Sequence, residues 1–277
     1  MKLFDAHCHL QDPRILSLTP RLINTLESGI DYFVVNGVSE KDWDSVKQMS
    51  ESYPSVVPSF GVHPWFVPER TADWFTVLKQ YFESTPCAAV GEIGLDKGFR
   101  GKETDFDVQI LDVMKEVGPF PDGVILHSYL GSAEMVPELA RLGAYFSFSG
   151  HLMPMESQKA RKLLKVVPSD RILLETDAPD ALPKFNLGDL YVVEGDPSLP
   201  PELQTLEENP HLRDNCDISE AENEAQELPK GMLNHPANIH NVLTYVASLL
   251  EISTEELAET SYSNAVRLFS YEGSKVL

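Results

Sequence analysis

Basic residues are scarce in this chain: 22 Lys and Arg stand against 43 Asp and Glu, a formal net charge of −21. A protein that grips a phosphate backbone by charge alone carries a basic stripe, and none runs here. Residues 187–230 concentrate the imbalance, with twelve acids against Arg213 and Lys230. Cysteine is also sparse. Cys8, Cys87 and Cys216 are odd in number and far apart, which excludes a disulfide framework and predicts reduced thiols in an intracellular protein, cytoplasmic or nuclear. No apolar run reaches the roughly 18 residues that would span a membrane, so no membrane association is expected. Asp5 and His7 interrupt any secretory leader at once. Gly-rich phosphate loops, a dinucleotide fingerprint and a Ser nucleophile elbow are all missing.

The apolar fraction of 42% in 277 residues is ample for the core of one α/β barrel, and residues 1–277 are read as one domain. Seven strand-like runs recur at Leu3–Ala6, Tyr32–Val38, Val56–Val62, Ala88–Ile93, Val124–His127, Tyr145–Ser149 and Ile172–Glu175. Most are continuously apolar rather than alternating, as expected for a parallel sheet covered on both faces. Helical patterns separate them, which predicts a (β/α) barrel or a doubly wound sheet. Polar residues follow the strands at their C-terminal ends, the rim where barrel enzymes place their chemistry. Between Asp96 and Gly123 the pattern shows one helix where a complete barrel would have two helices with a strand between them. The barrel is therefore predicted to lack one βα unit and to expose two strand edges. Residues 187–230, acidic and carrying five prolines, are expected to form a solvated, flexible insertion.

His7 and His9 share one face of the first strand, because residues i and i+2 point the same way. Two imidazoles so placed suit one metal ion, while Cys8 points to the opposite face. Glu92 lies between Gly91 and Gly94 at a strand end, a carboxylate that could bridge metals. Asp177 falls just past an apolar strand and is expected to be a ligand or general base. Glu175 on that strand is expected to be buried and paired. His127 is a further candidate ligand, and His63, before Pro64, a candidate substrate or phosphate contact. His151 is weaker. His235 and His240 are read as surface or core-filling groups. Such a mixed N/O set suits Mg²⁺, Mn²⁺, Ni²⁺ or Zn²⁺ without choosing among them. Two ions bridged by Glu92 would promote hydrolysis, with Asp177 accepting a proton from water.

The motifs Phe4-Asp5-Ala6-His7-Cys8-His9-Leu10, Gly61-Val62-His63-Pro64, Gly91-Glu92-Ile93-Gly94-Leu95-Asp96 and His127-Ser128-Tyr129-Leu130-Gly131-Ser132 stand in order along the chain. So do Tyr145-Phe146-Ser147-Phe148-Ser149-Gly150, Leu173-Leu174-Glu175-Thr176-Asp177-Ala178-Pro179 and Asn264-Ala265-Val266-Arg267-Leu268-Phe269. Together they resemble the TatD-type metal-dependent deoxyribonucleases of the amidohydrolase-like superfamily, over almost all of the chain outside 187–230. The resemblance implies a distorted TIM barrel, two divalent ions (Mg²⁺ first, Mn²⁺ or Zn²⁺ as alternatives) and 3′-to-5′ exonuclease cleavage of single-stranded DNA. It carries His7, His9, Glu92, His127 and Asp177 over as metal-site residues, Glu92 and Asp177 as catalytic, and His63 as a substrate contact. The family has one more strand before His127, ending in a ligand His. That unit is absent here. His235 also stands where the family commonly has Glu. Two competing readings are an inactive binding protein on the same fold and a hydrolase of small amides or phosphoesters.

Overall fold

The structure, a computed structural model, describes residues 1–24, 29–96, 106–185, 187–200, 204 and 231–276. Seven parallel strands carry the fold: β1 (Leu3–Cys8), β2 (Ile30–Gly37), β3 (Val56–Phe60), β4 (Ala89–Val90), β5 (Val124–Leu126), β6 (Ala144–Phe148) and β7 (Ile172–Leu174). Each falls on one of the apolar runs predicted above. Strands β1, β3, β6 and β7 are buried at every position, which is why their sequences do not alternate.

Helices wrap the strands: α1 (Thr19–Ile23), α2 (Trp43–Ser52), α3 (Trp74–Ser84), α4 (Phe106–Val117), α5 (Val136–Arg141), α6 (Ser157–Val166), α7 (Ile239–Leu250) and α8 (Thr254–Phe269). Their sequences state which side faces in. In α6, Ala160, Leu163 and Leu164 are buried at helical spacing while Lys159, Arg161 and Lys165 stay outside the core. Helix α8 begins at Ser253, whose Oγ accepts the Glu256 amide at 3.1 Å, with Glu255 and Glu256 in the first turn.

The strands form two arcs, β1-β2-β3-β4 and β5-β6-β7. The arcs meet where the end of β7 passes β1. Asp177 N–H donates to His7 O at 2.9 Å, and His9 N–H donates to Ala178 O at 2.7 Å. The buried Asp5 carboxylate accepts from Thr176 N at 2.9 Å and Thr176 Oγ1 at 2.5 Å, tying the same seam from below. Among the described residues no ladder joins β4 to β5, so the barrel is open on that side, as the missing βα unit predicts.

Apolar side chains pay the cost of that opening. Val90 of β4 is 68% exposed, and Val113 and Val117 of α4 are 54% and 67% exposed. A cleft of about 3650 Å³ is lined by His7 and Glu92 and also by Val90, Phe120, Tyr145 and Leu268. Ligand pockets usually span about 300–1,000 Å³. The lining of this cleft includes β4 and β5, which no ladder joins among the described residues, whereas complete barrels fill their interior with side chains.

One expectation needs correction. The stretch 187–230 is not wholly loop: Val192–Glu194 forms β8, antiparallel to β9 (Met232–Asn234), with Val193 buried against Leu233. A 3₁₀ turn, Leu187–Asp189, precedes it. Residues 201–203 and 205–230, most of the expected insertion, lie outside the described residues.

Candidate metal centre

Strand β1 delivers His7 and His9 to the rim on one face, with the two rings edge to face. His7 Nε2 lies 3.1 Å from His9 Nε2, 3.2 Å from Glu92 Oε1 and 3.9 Å from Asp177 Oδ1. His9 Nε2 lies 3.8 Å from the same Glu92 oxygen and 3.5 Å from the same Asp177 oxygen. A tetrahedral ion bound at about 2.1 Å keeps neighbouring donors about 3.4 Å apart. The spacing therefore matches what one small cation needs.

Tautomers point the same way. His9 Nδ1 sits 2.9 Å from the carbonyl of Asn36, so an N–H lies there and Nε2 is the nitrogen that faces the cluster. His127, at the end of β5, has Nδ1 2.9 Å from Glu175 Oε1, which assigns its proton likewise and leaves Nε2 aimed towards Asp177 Oδ1 at 3.7 Å. Its ring stacks on His7 at 3.7 Å. Two facing imidazole lone pairs repel unless a proton or cation sits between them. Glu92 Oε2 and Glu175 Oε2 are buried with no hydrogen-bond partner among the described residues. A buried carboxylate oxygen without a partner is costly, and a cation would satisfy it. By donor type, spacing and orphaned oxygens, the residues fit a divalent ion. The sets His7, His9, Asp177 and His7, His127, Glu175 each bring three donor atoms within reach of one ion.

Charge follows geometry. Burial opposes a charged His9, but Asp177 and Glu92 outweigh it and carry its pKa up to about 10. Burial likewise opposes charge on His127, but Glu175 and Asp177 raise it to about 9. His7, buried and beside His127, is pushed down. Burial favours a protonated Glu92, yet His7 and His9 bring it down to about 2. Asp177, buried but facing His127, His151 and His9, is held well below the usual carboxylate range. Burial raises Asp5 to about 7.

The backbone is shaped for this arrangement. Asp177 has φ +53° and Ser128 φ +44°, left-handed values that non-glycine residues adopt only when their surroundings hold them. Gly61 allows close approach of the Glu92 loop: a Cβ there would stand 2.3 Å from Glu92 O. That proximity lets Val62 N–H donate to Glu92 O at 2.9 Å, beyond the end of the β3–β4 ladder.

The structure thus brings together His7, His9, Glu92, His127 and Asp177. His63 stands beside them rather than among them. Its Nδ1 accepts the Trp65 amide at 3.2 Å and its Nε2 lies 3.5 Å from Asp96 Oδ2. Glu175 is fully buried and paired, holding His127 and Ser128. His235 turns inward as a local cap, with Nδ1 accepting the Ala237 amide at 2.9 Å. Sequence reasoning did not single out three supporting residues. Asn36 orients His9; Gln11 donates to Asn36 O at 2.6 Å and to Asp42 Oδ2 at 3.0 Å. Arg14, buried, donates to both carboxylate oxygens of Asp12 and of Asp180, binding the β1 loop to the β7 loop. Gln11 and Arg14 lie within a few positions of the first motif, whereas Asn36 sits in an apolar run, near the end of β2. His151, the weaker candidate of the sequence reading, does reach the cluster, with Nε2 3.5 Å from Asp177 Oδ2.

Comparison with known proteins gives a consistent picture. A family model described as TatD related DNase matches residues 4–110 and 100–270. The chain is similar to the uncharacterized metal-dependent hydrolase YabD of Bacillus subtilis, 24% identical over 96% of this chain and 98% of that protein. It is equally similar, at 24%, to the uncharacterized metal-dependent hydrolase YcfH of Escherichia coli, over 100% and 98% of the two chains. Its fold resembles the crystal structure of YjjV, a TatD homologue from E. coli, with a TM-score of 0.73, 19% identity and coverage of 97% and 98%. A TatD-family hydrolase from Entamoeba histolytica gives 0.65, 17% and 98% of both chains.

Proposed function

As this chain belongs to the TatD-related DNase family of metal-dependent hydrolases, we propose that it hydrolyses phosphodiester bonds in DNA, working from the 3′ end of single strands. The observation that carries this reading is the meeting of His7, His9, Glu92 and Asp177 donor atoms at 3.1–3.9 Å, with His9 Nε2 turned inward. A divalent cation held there, Mg²⁺ by preference and Mn²⁺ or Zn²⁺ as alternatives, would supply Lewis acidity towards a phosphoryl oxygen and the attacking water. His7, His9, Asp177 and Glu92 would hold the first ion. Glu92 and His127 would hold a second with fewer donors, because among the described residues no strand stands between β4 and β5 to add another imidazole. Asp177 orients the attacking water and receives its proton. His63, kept as an Nε2–H donor by the Trp65 amide on its other nitrogen, contacts a phosphate oxygen of the substrate. The protein works inside the cell, in cytoplasm or nucleus.

The test is digestion of a single-stranded oligonucleotide labelled at its 5′ end, with Mg²⁺ and with a chelator. A ladder shortening from the 3′ end, abolished by chelation and lowered ~10²–10⁴-fold in Asp177→Asn, is expected. Intact oligonucleotide at every metal tried would overturn the reading.

The open side of the barrel favours a second reading, a binding protein that has lost catalysis. Counting bound metal by mass spectrometry separates the two, since only the second tolerates near-zero occupancy at millimolar supply. A small-molecule hydrolase is separated by activity on simple phosphoesters or amides with none on oligonucleotides.

A further inference from the structure

Asp177 offers two carboxylate oxygens, and they face different neighbours. Oδ1 looks towards His7, His9 and His127 at 3.5–3.9 Å. Oδ2 looks towards His151 Nε2 at 3.5 Å. His151 rides on a 3₁₀ turn, Gly150–Leu152, immediately after β6. Two contacts fix that turn. Ser149 Oγ accepts the His151 amide at 3.3 Å and lies 2.7 Å from Ser128 Oγ, which itself donates to Glu175 at 2.8 Å. Gly150 packs so closely on the loop after β7 that a Cβ there would stand 2.0 Å from Ala181 O. Ala181 is itself left-handed, at φ +52°. The imidazole is thereby set against one oxygen of Asp177, on a side chain 49% exposed at the cleft. Asp177's own backbone is pinned by its N–H bond to His7 O at 2.9 Å. Only rotation about its side chain is left free, and His151 is placed to restrain it.

We propose that His151 is a positioning residue that holds Asp177 by Oδ2, so that a cation at His7 and His9 meets Oδ1 alone. Without it the carboxylate can turn and offer both oxygens to one ion, which changes ligand count and geometry. The role rests on the metal-site reading above and needs no contact between His151 and metal or substrate. Partners of this kind, behind the ligands, typically change metal affinity or activity about 10–100-fold when removed.

The test compares the full-length wild type with His151→Leu, His151→Gln and His151→Asn, using Mn²⁺ as the probe. Mn²⁺ affinity is read by calorimetry and its coordination by electron paramagnetic resonance. Gln places an amide N–H near the position of Nε2; Asn places it one bond short. The expected result is ~10–100-fold weaker Mn²⁺ binding and an altered spectrum in His151→Leu and His151→Asn, with both restored towards wild type in His151→Gln. Melting of the metal-free proteins reports folding, and if His151→Leu fails to fold the Gln and Asn pair decides. Wild-type behaviour in every variant overturns the role. Equal loss in Gln and Leu also overturns it, because charge and not placement would then be what His151 contributes. A wild type that binds Mn²⁺ while the variants match it sinks the role of His151 alone. A wild type that binds no Mn²⁺ sinks the metal site and this role with it.

Discussion

His9 and His127 each commit Nδ1 to a fixed acceptor, the Asn36 carbonyl and the Glu175 carboxylate, and leave Nε2 to the cluster. In metal-free protein that nitrogen takes a proton, because Asp177, Glu92 and Glu175 overcome burial and raise the two groups to about 10 and about 9. Both values stand above the ordinary 6.5, so this stabilisation is complete below about pH 6.5 and vanishes as pH climbs through 9 and 10. Asp5, raised to about 7, acts in the same sense at lower pH. Chelated protein should therefore show a melting temperature that falls as pH rises from 7 to 10. Metal binding at pH 7 should release about two protons, from His9 and His127, since a cation and a proton compete for the same lone pair. Calorimetry in buffers of differing ionisation enthalpy measures that release. A release near zero would mean these rings are not ligands.

At the scale of elements, the strands were legible because burial on both faces leaves unbroken apolar runs. The rim residues were legible because each follows such a run. His7 and His9 needed only the two-residue period of β1. His151 did not show its importance in sequence, because its reach depends on Gly150 packing against Ala181, a contact between separate loops. β8 was hidden for a similar reason: Val192-Val193-Glu194 sits among acids and prolines, buries only Val193, and pairs with a strand beyond the acidic stretch. Gly61 shows how an element end sets the chemistry. Substituting Gly61→Ala forces a Cβ against Glu92 O, so β3 and the Glu92 loop must part. A loss of about 1–3 kcal/mol in denaturant unfolding is expected, together with weaker metal binding, because Glu92 moves with its backbone. A variant as stable as wild type with unchanged metal affinity would contradict the close approach.

For the whole molecule, the open side sets the main expectations. Grafting a strand and helix into the chain between Val117 and Gly123 should bury Val90, Val113 and Val117 and raise the melting temperature. Each large apolar side chain so covered contributes roughly 1.5–3 kcal/mol. Thermal melts of the two forms measure it, and no gain would mean that the edges are already covered in solution. The charge of −21 adds a second consequence. An acidic enzyme repels its polyanionic substrate, and salt screens that repulsion. The KM for an oligonucleotide should therefore hold steady or fall as monovalent salt rises at fixed Mg²⁺. A steep rise in KM, typical of counterion release at a basic surface, would reveal a cationic groove that the sequence does not announce.

The donors come from both arcs: His7, His9 and Glu92 from β1–β4, His127 and Asp177 from β5–β7. A closed barrel would be hooped all round, but this one is a split ring whose strands meet at one seam, through Asp5, Thr176, His7 and Ala178, reinforced by Arg14 between the flanking loops. An ion seated among those donors acts as a rivet across the join, so loading and unloading it should stiffen and loosen the entire ring, not merely the rim.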